Sequence, residues 1–242
     1  MLKGRKEILL VFLLILPLFL SAQKKKVKNN QGYDKKIWHL GYTMGINTMS
    51  FKITPSNNFL KNDSVYGLSS TSYSGFNVGG PIVNLRLGEY FDLRTMIVLS
   101  FGQRDLVYNI KRTKVAEGKS PFFEHVMRLE SIYSEFPLLI KYKGERLNNM
   151  RPYIIGGINP KIDWATQSKI KEEEMPKIRL NSYDLCLEIG FGFDFYLEFF
   201  KLSTELKLSM GTQNLVKYDG TQYTNSIQKL KSRMVMLSFH FE

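Results

Sequence analysis

From residue 183 to residue 210 apolar and polar side chains alternate almost strictly. Tyr183, Leu185, Leu187, Ile189, Phe191, Phe193 and Phe195 share one phase, and Asp184, Cys186, Glu188, Gly190, Gly192 and Asp194 the other. After a break at Leu197, Glu198 and Phe199 the pattern restarts. Phe200, Leu202, Leu206, Leu208 and Met210 now alternate with Lys201, Ser203, Glu205, Lys207 and Ser209. A period of two is the strand period, because successive side chains point to opposite faces. The stretch therefore predicts a tight antiparallel hairpin with one long aromatic face and one face bearing charges of both signs.

The same reading finds further strands at 38–53, 75–87, 91–101, 122–142, 151–165 and 232–241. In the third, Phe91, Leu93, Ile97, Leu99 and Phe101 alternate with Asp92, Arg94, Met96, Val98 and Ser100, and the strand is expected to run on through Leu106, Val107 and Tyr108. In the last, Val235, Leu237, Phe239 and Phe241 oppose Ser238 and His240. Pro81 cannot donate to a ladder and predicts a bulge or bend in the second strand. The fifth strand has no single phase by this criterion: Tyr153 and Ile155 argue for one, Ile158, Ile162 and Trp164 for the other.

The connections alternate long and short. Long polar segments cover 54–74, 111–121, 166–179 and 211–230; short ones cover 88–90, 143–150 and 197–199. Eight antiparallel strands with loops on one side and tight turns on the other, and both termini on the turn side, describe an all-β, eight-stranded transmembrane up-and-down β-barrel. Several strands exceed the ~9–11 residues that a tilted membrane strand needs. A soluble eight-stranded barrel would turn this many Phe and Leu inward and overfill itself. In the membrane the apolar face meets lipid, and the polar face lines a lumen with room only for side chains. Asp92, Arg94, Glu135, Lys141, Asp184, Glu188, Asp194, Lys201, Glu205 and Lys207 then point inward. A lone buried charge is costly, so these are expected to pair into a structural network that fills the interior and leaves no pore.

Composition adds an address. The 242-residue chain is 43% hydrophobic, enough for one β-domain. Lys3, Arg5 and Lys6 precede the apolar run 8–20, and Leu20, Ser21 and Ala22 offer a small-residue cleavage site, the layout of a secretory signal peptide over residues 1–22. A polar, lysine-rich segment at 23–36 reads as a solvated, mobile periplasmic leader before the barrel at 37–242. Cys186 is the single cysteine, so no intramolecular disulfide staples the fold. The formal net charge is +12. Export makes nucleic acid an improbable partner, and the charge points instead to outer-membrane lipid head groups and lipopolysaccharide phosphates.

No catalytic or cofactor-binding set stands out. There is no P-loop, no CxxC and no paired metal-ligand motif. The Gly190-x-Gly192 pair is mid-strand, where glycines relieve crowding in a narrow barrel. His39 and His240 fall at the turn end of neighbouring strands and are the one pair that could be drawn as a metal or switch site. His125 with Asp163 or Glu124 could be drawn as an acid–base set at the outer rim. Neither is supported by spacing, and no enzyme, cofactor or metal is expected.

The segment Glu135 to Tyr142, with its Pro-Leu-Leu-x-Lys-Tyr core, and the segment Arg151 to Gly157, with Pro-Tyr followed by Gly, resemble signature strands of Bacteroidetes outer-membrane β-barrels. Gly45-Ile46-Asn47 in the first strand and the stretch 91–108 are similar to the same family. Within it, the chain resembles the PorT proteins of the type IX secretion system. That resemblance implies a non-enzymatic barrel needed for protein secretion or for assembly of the machine, with other secretion-system proteins as partners. It brings no catalytic residues. A ligand-binding or adhesion-type surface barrel acting through its loops is the alternative.

Overall fold

The computed structural model describes residues 27–56, 65–111, 121–165 and 178–242. The expected signal peptide lies outside them. Twelve strands are present among the described residues: β1 (Trp38–Pro55), β2 (Val65–Ser72), β3 (Ser74–Arg86), β4 (Phe91–Lys111), β5 (Phe122–Glu135), β6 (Leu138–Lys143), β7 (Met150–Asp163), β8 (Arg179–Leu180), β9 (Tyr183–Tyr196), β10 (Lys201–Gly211), β11 (Val216–Lys217) and β12 (Ile227–Phe241). Ten of them form one antiparallel sheet, and β8 pairs with β11 separately.

That sheet closes into an eight-stranded ring. β2 and β3 pair in succession along one edge of β4, and β5 and β6 along the other, so each couple acts as one barrel strand. The ring is β1, β2/β3, β4, β5/β6, β7, β9, β10 and β12, with β12 pairing back onto β1. The row through Arg233, Met210, Leu187, Ile158, Leu138, Thr95, Val83 and Leu40 steps once round the wall. It meets β12 again about ten residues along, a stagger that tilts the strands by roughly 40°. Through the belt closure pairs each ring strand on both sides, which a wall in lipid requires; nearer the loop end β2 and most of β5 pair on one side only, with β4.

Three expectations change in detail. The segment 54–74 is not a loop throughout: it contains β2, which lengthens the β2/β3–β4 hairpin beyond the lipid belt. The fourth strand is interrupted at Phe136 and Pro137, because proline lacks the ladder N–H. There the Phe136 N–H is taken by the Asn159 side chain and the Pro160 carbonyl, both at 3.1 Å. The last strand begins at Ile227, earlier than expected. Pro81 does interrupt its ladders, with register shifts between Gly79 and Ile82 on one side and Gly41 and Thr43 on the other.

Burial follows the alternation. On β9 and β10 the apolar phase is outward and the polar phase inward. β7 also keeps one phase throughout: Arg151, Tyr153, Ile155, Asn159, Lys161 and Asp163 are buried, while Ile154 and Ile158 are exposed. Tyr153 and Ile155 misled the sequence reading because they are apolar residues packed inside a polar lumen. Aromatic side chains ring the turn end, with Tyr42 stacked on Phe241 at 4.9 Å and Phe91 against Tyr142 at 5.1 Å. Phe76 stacks on Phe101 at 4.7 Å near the opposite rim.

Past that rim the chemistry of the two faces inverts while the phase is kept. On β4 the inward residues change from Asp92 and Arg94 to Leu106, Tyr108 and Ile110, and Asn109 and Lys111 now face out. With Phe51, Met127, Leu129, Ile178, Leu180, Leu215, Ile227 and Leu230 they form an apolar core across the loop end. These are the rules of a soluble sheet, as expected for strands that have left the lipid.

Candidate functional site: the charged lumen and the strap at its turn end

Below the apolar core the lumen is packed with acidic and basic side chains, held there by the inward phase of each strand. Arg94 is central and fully buried. Its Nη1 donates to Glu205 Oε2 at 3.0 Å, its Nη2 to Glu242 Oε1 at 3.0 Å and its Nε to Asn84 Oδ1 at 2.8 Å. The Tyr153 hydroxyl also donates to Glu205 Oε2, at 3.0 Å, and Lys141 Nζ lies 3.7 Å from the centre of the Tyr153 ring. Lys141 donates to both oxygens of Asp194 at 2.7 Å, and Ser203 Oγ donates to Oδ1 of the same carboxylate at 2.6 Å. Lys201 is 2.6 Å from Glu242, and Lys143 is 2.6 Å from Asp92.

A second group sits nearer the loop end. Lys207 contacts Glu188 at 2.8 Å, and Lys161 bridges Glu135 at 3.1 Å and Glu188 at 3.7 Å. The Asn159 amide donates to both Glu135 and Glu188 at 2.7 Å. Asp184 accepts from Ser232 Oγ. Arg104 lies 3.8 Å from Asp163 and donates to Ser131 at 3.2 Å.

All ten residues assigned inward from the sequence are buried. Nine of them have an opposite charge within reach, while Asp184 is held by a hydroxyl. Glu242, Lys143, Lys161, Asn159, Arg104 and Asp163 also belong to the network and were missed. Lys161, Asn159 and Asp163 were hidden by the unassigned phase of the fifth strand. The run of polar residues at every second position from 159 to 163 was the available signal.

The histidine pairs drawn from the sequence do not form. His39 Nε2 is 2.8 Å from the Tyr33 carbonyl oxygen, and its ring stacks on Tyr33 at 4.0 Å. His240 instead faces the lumen, 3.4 Å from Glu205. His125 is the cross-strand partner of Tyr108, whereas Asp163 is that of Tyr133, well down the wall, and Glu124, next to His125 on β5, points to the opposite face. No cluster of His, Cys, Asp and Glu among the described residues could hold a metal.

The turn end carries a feature the sequence did not announce. Residues 29–36, expected to be a free leader, are docked across the mouth of the barrel. Asn29 N–H donates to Asn149 Oδ1 at 2.9 Å, and its amide donates to the Tyr196 carbonyl at 3.1 Å. Asp34 is 3.2 Å from both Arg146 and Arg151 and accepts from the Tyr196 hydroxyl at 2.7 Å. The Tyr33 hydroxyl donates to Glu242 Oε2 at 2.9 Å, which ties the strap to the lumen network. Burial first, and then the Glu242 carboxylate, keep the Tyr33 phenol protonated far above its ordinary range. Burial disfavours the Asp34 charge, but the Tyr196 hydroxyl, Arg151 and Arg146 outweigh it and hold the carboxyl below the usual carboxylate value.

Two expected results follow from this geometry. Glu188→Leu removes the shared partner of Lys207 and Lys161 and should destabilise the barrel by about 3–5 kcal/mol, the cost of stranding a buried charge. An unfolding temperature of the heat-modifiable band equal to that of the parent would contradict it. Because the Asp34 pKa is depressed, its contribution to strap docking is complete above the ordinary carboxylate range and is lost as pH falls through the folded value. The protection factors of the amides of residues 29–36, taken against the intrinsic exchange rate at each pH, should therefore fall on acidification, and Asp34→Asn should show the low protection already at neutral pH. Protection that ignores both changes would remove Asp34 as the fastening.

The fold resembles solved outer-membrane barrels. It is similar to the outer membrane protein OprG from Pseudomonas aeruginosa, at 12% identity over 84% of this chain and 95% of that one, with a TM-score of 0.43. It is also similar to Neisserial surface protein A, at 10% identity over 82% of this chain and 95% of that one, with a TM-score of 0.38. No curated protein matches the sequence. The family described as outer membrane protein beta-barrel domain matches residues 21–217. With that match, the inverted barrel and its lipid-facing belt, the chain belongs to the outer-membrane β-barrel family and lies in the outer membrane as a multi-pass barrel.

Proposed function

We propose that this chain is a non-enzymatic integral barrel that serves protein export, as a component needed for secretion through a type IX machine or for its assembly. The observation that carries the reading is the interior. Paired charges occupy the lumen, the apolar core occupies the loop end and the strap crosses the turn end. A barrel packed in this way acts through its surfaces. The segments around Glu135 to Tyr142 and Arg151 to Gly157 resemble those of Bacteroidetes outer-membrane barrels, and within that group the resemblance of the chain to the PorT proteins supports export as the setting. In this reading the partners are other secretion-system proteins together with outer-membrane lipid and lipopolysaccharide, and no cofactor or nucleic acid is involved.

A surface-binding barrel is the second reading. It is favoured by the β4–β5 hairpin, which rises beyond the belt and exposes Phe122, Phe123 and Val126. Deletion of the gene separates the two. Loss of cargo from the culture medium, together with secretion-system proteins co-purifying with the tagged barrel, is expected from the export role. Intact cargo export, with a barrel that purifies alone, would transfer the assignment to surface binding.

A further inference from the structure

Around most of the wall the outward face stays apolar or aromatic up to the loop-end rim, as at Trp164, Tyr183 and Met210. The β1–β12 seam differs. On β12 the outward series Phe241, Phe239, Leu237 and Val235 is followed by Arg233, Lys231 and Lys229, and on β1 Lys52 occupies the matching level. Lys52 and Lys231 are direct cross-strand partners. Like charges placed opposite each other in a sheet repel and destabilise it. None of the four basic residues has an ion-pair partner among the described residues. Arg233 pairs in register with Met210, so this column stands at the top of the apolar belt, at head-group level. On the opposite wall at that level, β5 carries Glu130 and Arg128, of mixed sign.

An apolar groove of about 810 Å³ starts at Arg233 and crosses the lipid-facing wall diagonally past Val235, Leu208, Ile189 and Gly156 to Ile154. It is hollow at Gly156 because that outward position has no side chain; an added Cβ would meet only the Glu188 carbonyl oxygen, at 3.4 Å. Strand tilt makes the groove descend into the bilayer from the basic column. We infer that the β1–β12 seam and this groove form a binding site for one phosphorylated outer-leaflet lipid. Its phosphate lies over Lys52, Lys231 and Arg233, and an acyl chain lies in the groove. The phosphate neutralises the Lys52–Lys231 repulsion, and lipid surrounds this face in the membrane, so the occupant has both a source and a charge complement.

The test uses the full-length barrel in phosphatidylcholine vesicles with or without bisphosphorylated lipid A. The readouts are the unfolding temperature of the heat-modifiable band and the lipid retained through mild detergent by native mass spectrometry. Lipid A should raise the parent's unfolding temperature by a few degrees and remain bound, as ligand linkage requires. The Lys52→Gln, Lys231→Gln, Arg233→Gln triple variant should lose both effects while unfolding no earlier than the parent in phosphatidylcholine alone. Arg128→Gln, on the opposite wall, should behave as the parent, and Gly156→Phe should reduce retention by filling the groove. Equal gain in the triple variant would overturn the site. So would a gain reproduced by inorganic phosphate alone, or retention indifferent to Gly156→Phe, since either would leave only head-group attraction.

Discussion

Replacing Arg94 by methionine will destabilise the barrel by about 3–5 kcal/mol, through the charges it leaves behind rather than through the side chain it removes. Arg94 donates to Glu205, Glu242 and Asn84 from a position with no solvent exposure. Methionine fills similar volume but supplies no donor. Glu205 would keep the Tyr153 hydroxyl, while Lys207 is 4.0 Å away and His240 3.4 Å away. Glu242 would keep Lys201 and the Tyr33 hydroxyl. Neither set replaces a guanidinium that bridges the two carboxylates. Urea unfolding followed by heat-modifiable migration reads the loss. Combining Arg94→Met with Glu205→Gln should recover part of it, because one of the two stranded carboxylates is then neutral. A loss within about 0.5 kcal/mol, the range of ordinary surface substitutions, would mean that water or rearranged lysines replace Arg94, and the network would not be structural.

Leucine at Gly192 should damage the barrel to a similar degree by a different route. A Cβ built at Gly192 falls against the Thr204 carbonyl oxygen of the neighbouring strand and within 2.5 Å of the Tyr153 ring and hydroxyl. The strand cannot yield at Thr204, since that carbonyl is fixed in the β9–β10 ladder. Tyr153 must therefore leave, and with it go its bond to Glu205 and its contact with Lys141. Overpacking costs about 1–3 kcal/mol, and loss of a hydrogen bond to a charged group about 1.5–3 kcal/mol. Tyr153→Phe should show the second contribution alone, so the leucine variant must fall below it in stability. If both variants unfold together, Gly192 is not what seats Tyr153.

These two positions mark the boundary of what the chain states about itself. Gly192 reads as a glycine in a crowded strand, but only the β7–β9 register sets Tyr153 directly opposite it. Arg94 reads as inward from its phase on the third strand, while its acceptors come from β3, β10 and the residue after β12. Alternation assigns a face without assigning a neighbour, because a period of two is blind to register. The fifth strand failed for a related reason. Its inward Tyr153 and Ile155 are apolar, and in a barrel with lipid outside and a mixed interior, apolarity alone does not distinguish the faces.

The sequence by itself determined the strand count, the alternation of loops and turns, the lipid-facing side and the ten inward charges. Each is carried by local periodicity and turn chemistry. Tertiary structure decided the rest. The stagger of the ring set which acid meets which base. The strands' exit from lipid turned their inner face from charged to apolar. The convergence of Arg146, Arg151 and Tyr196 at the turn end gave Asp34 a binding place, and so turned a lysine-rich leader into a strap. Ion pairs and docking contacts depend on distances between residues far apart in the chain, and no local pattern contains those distances.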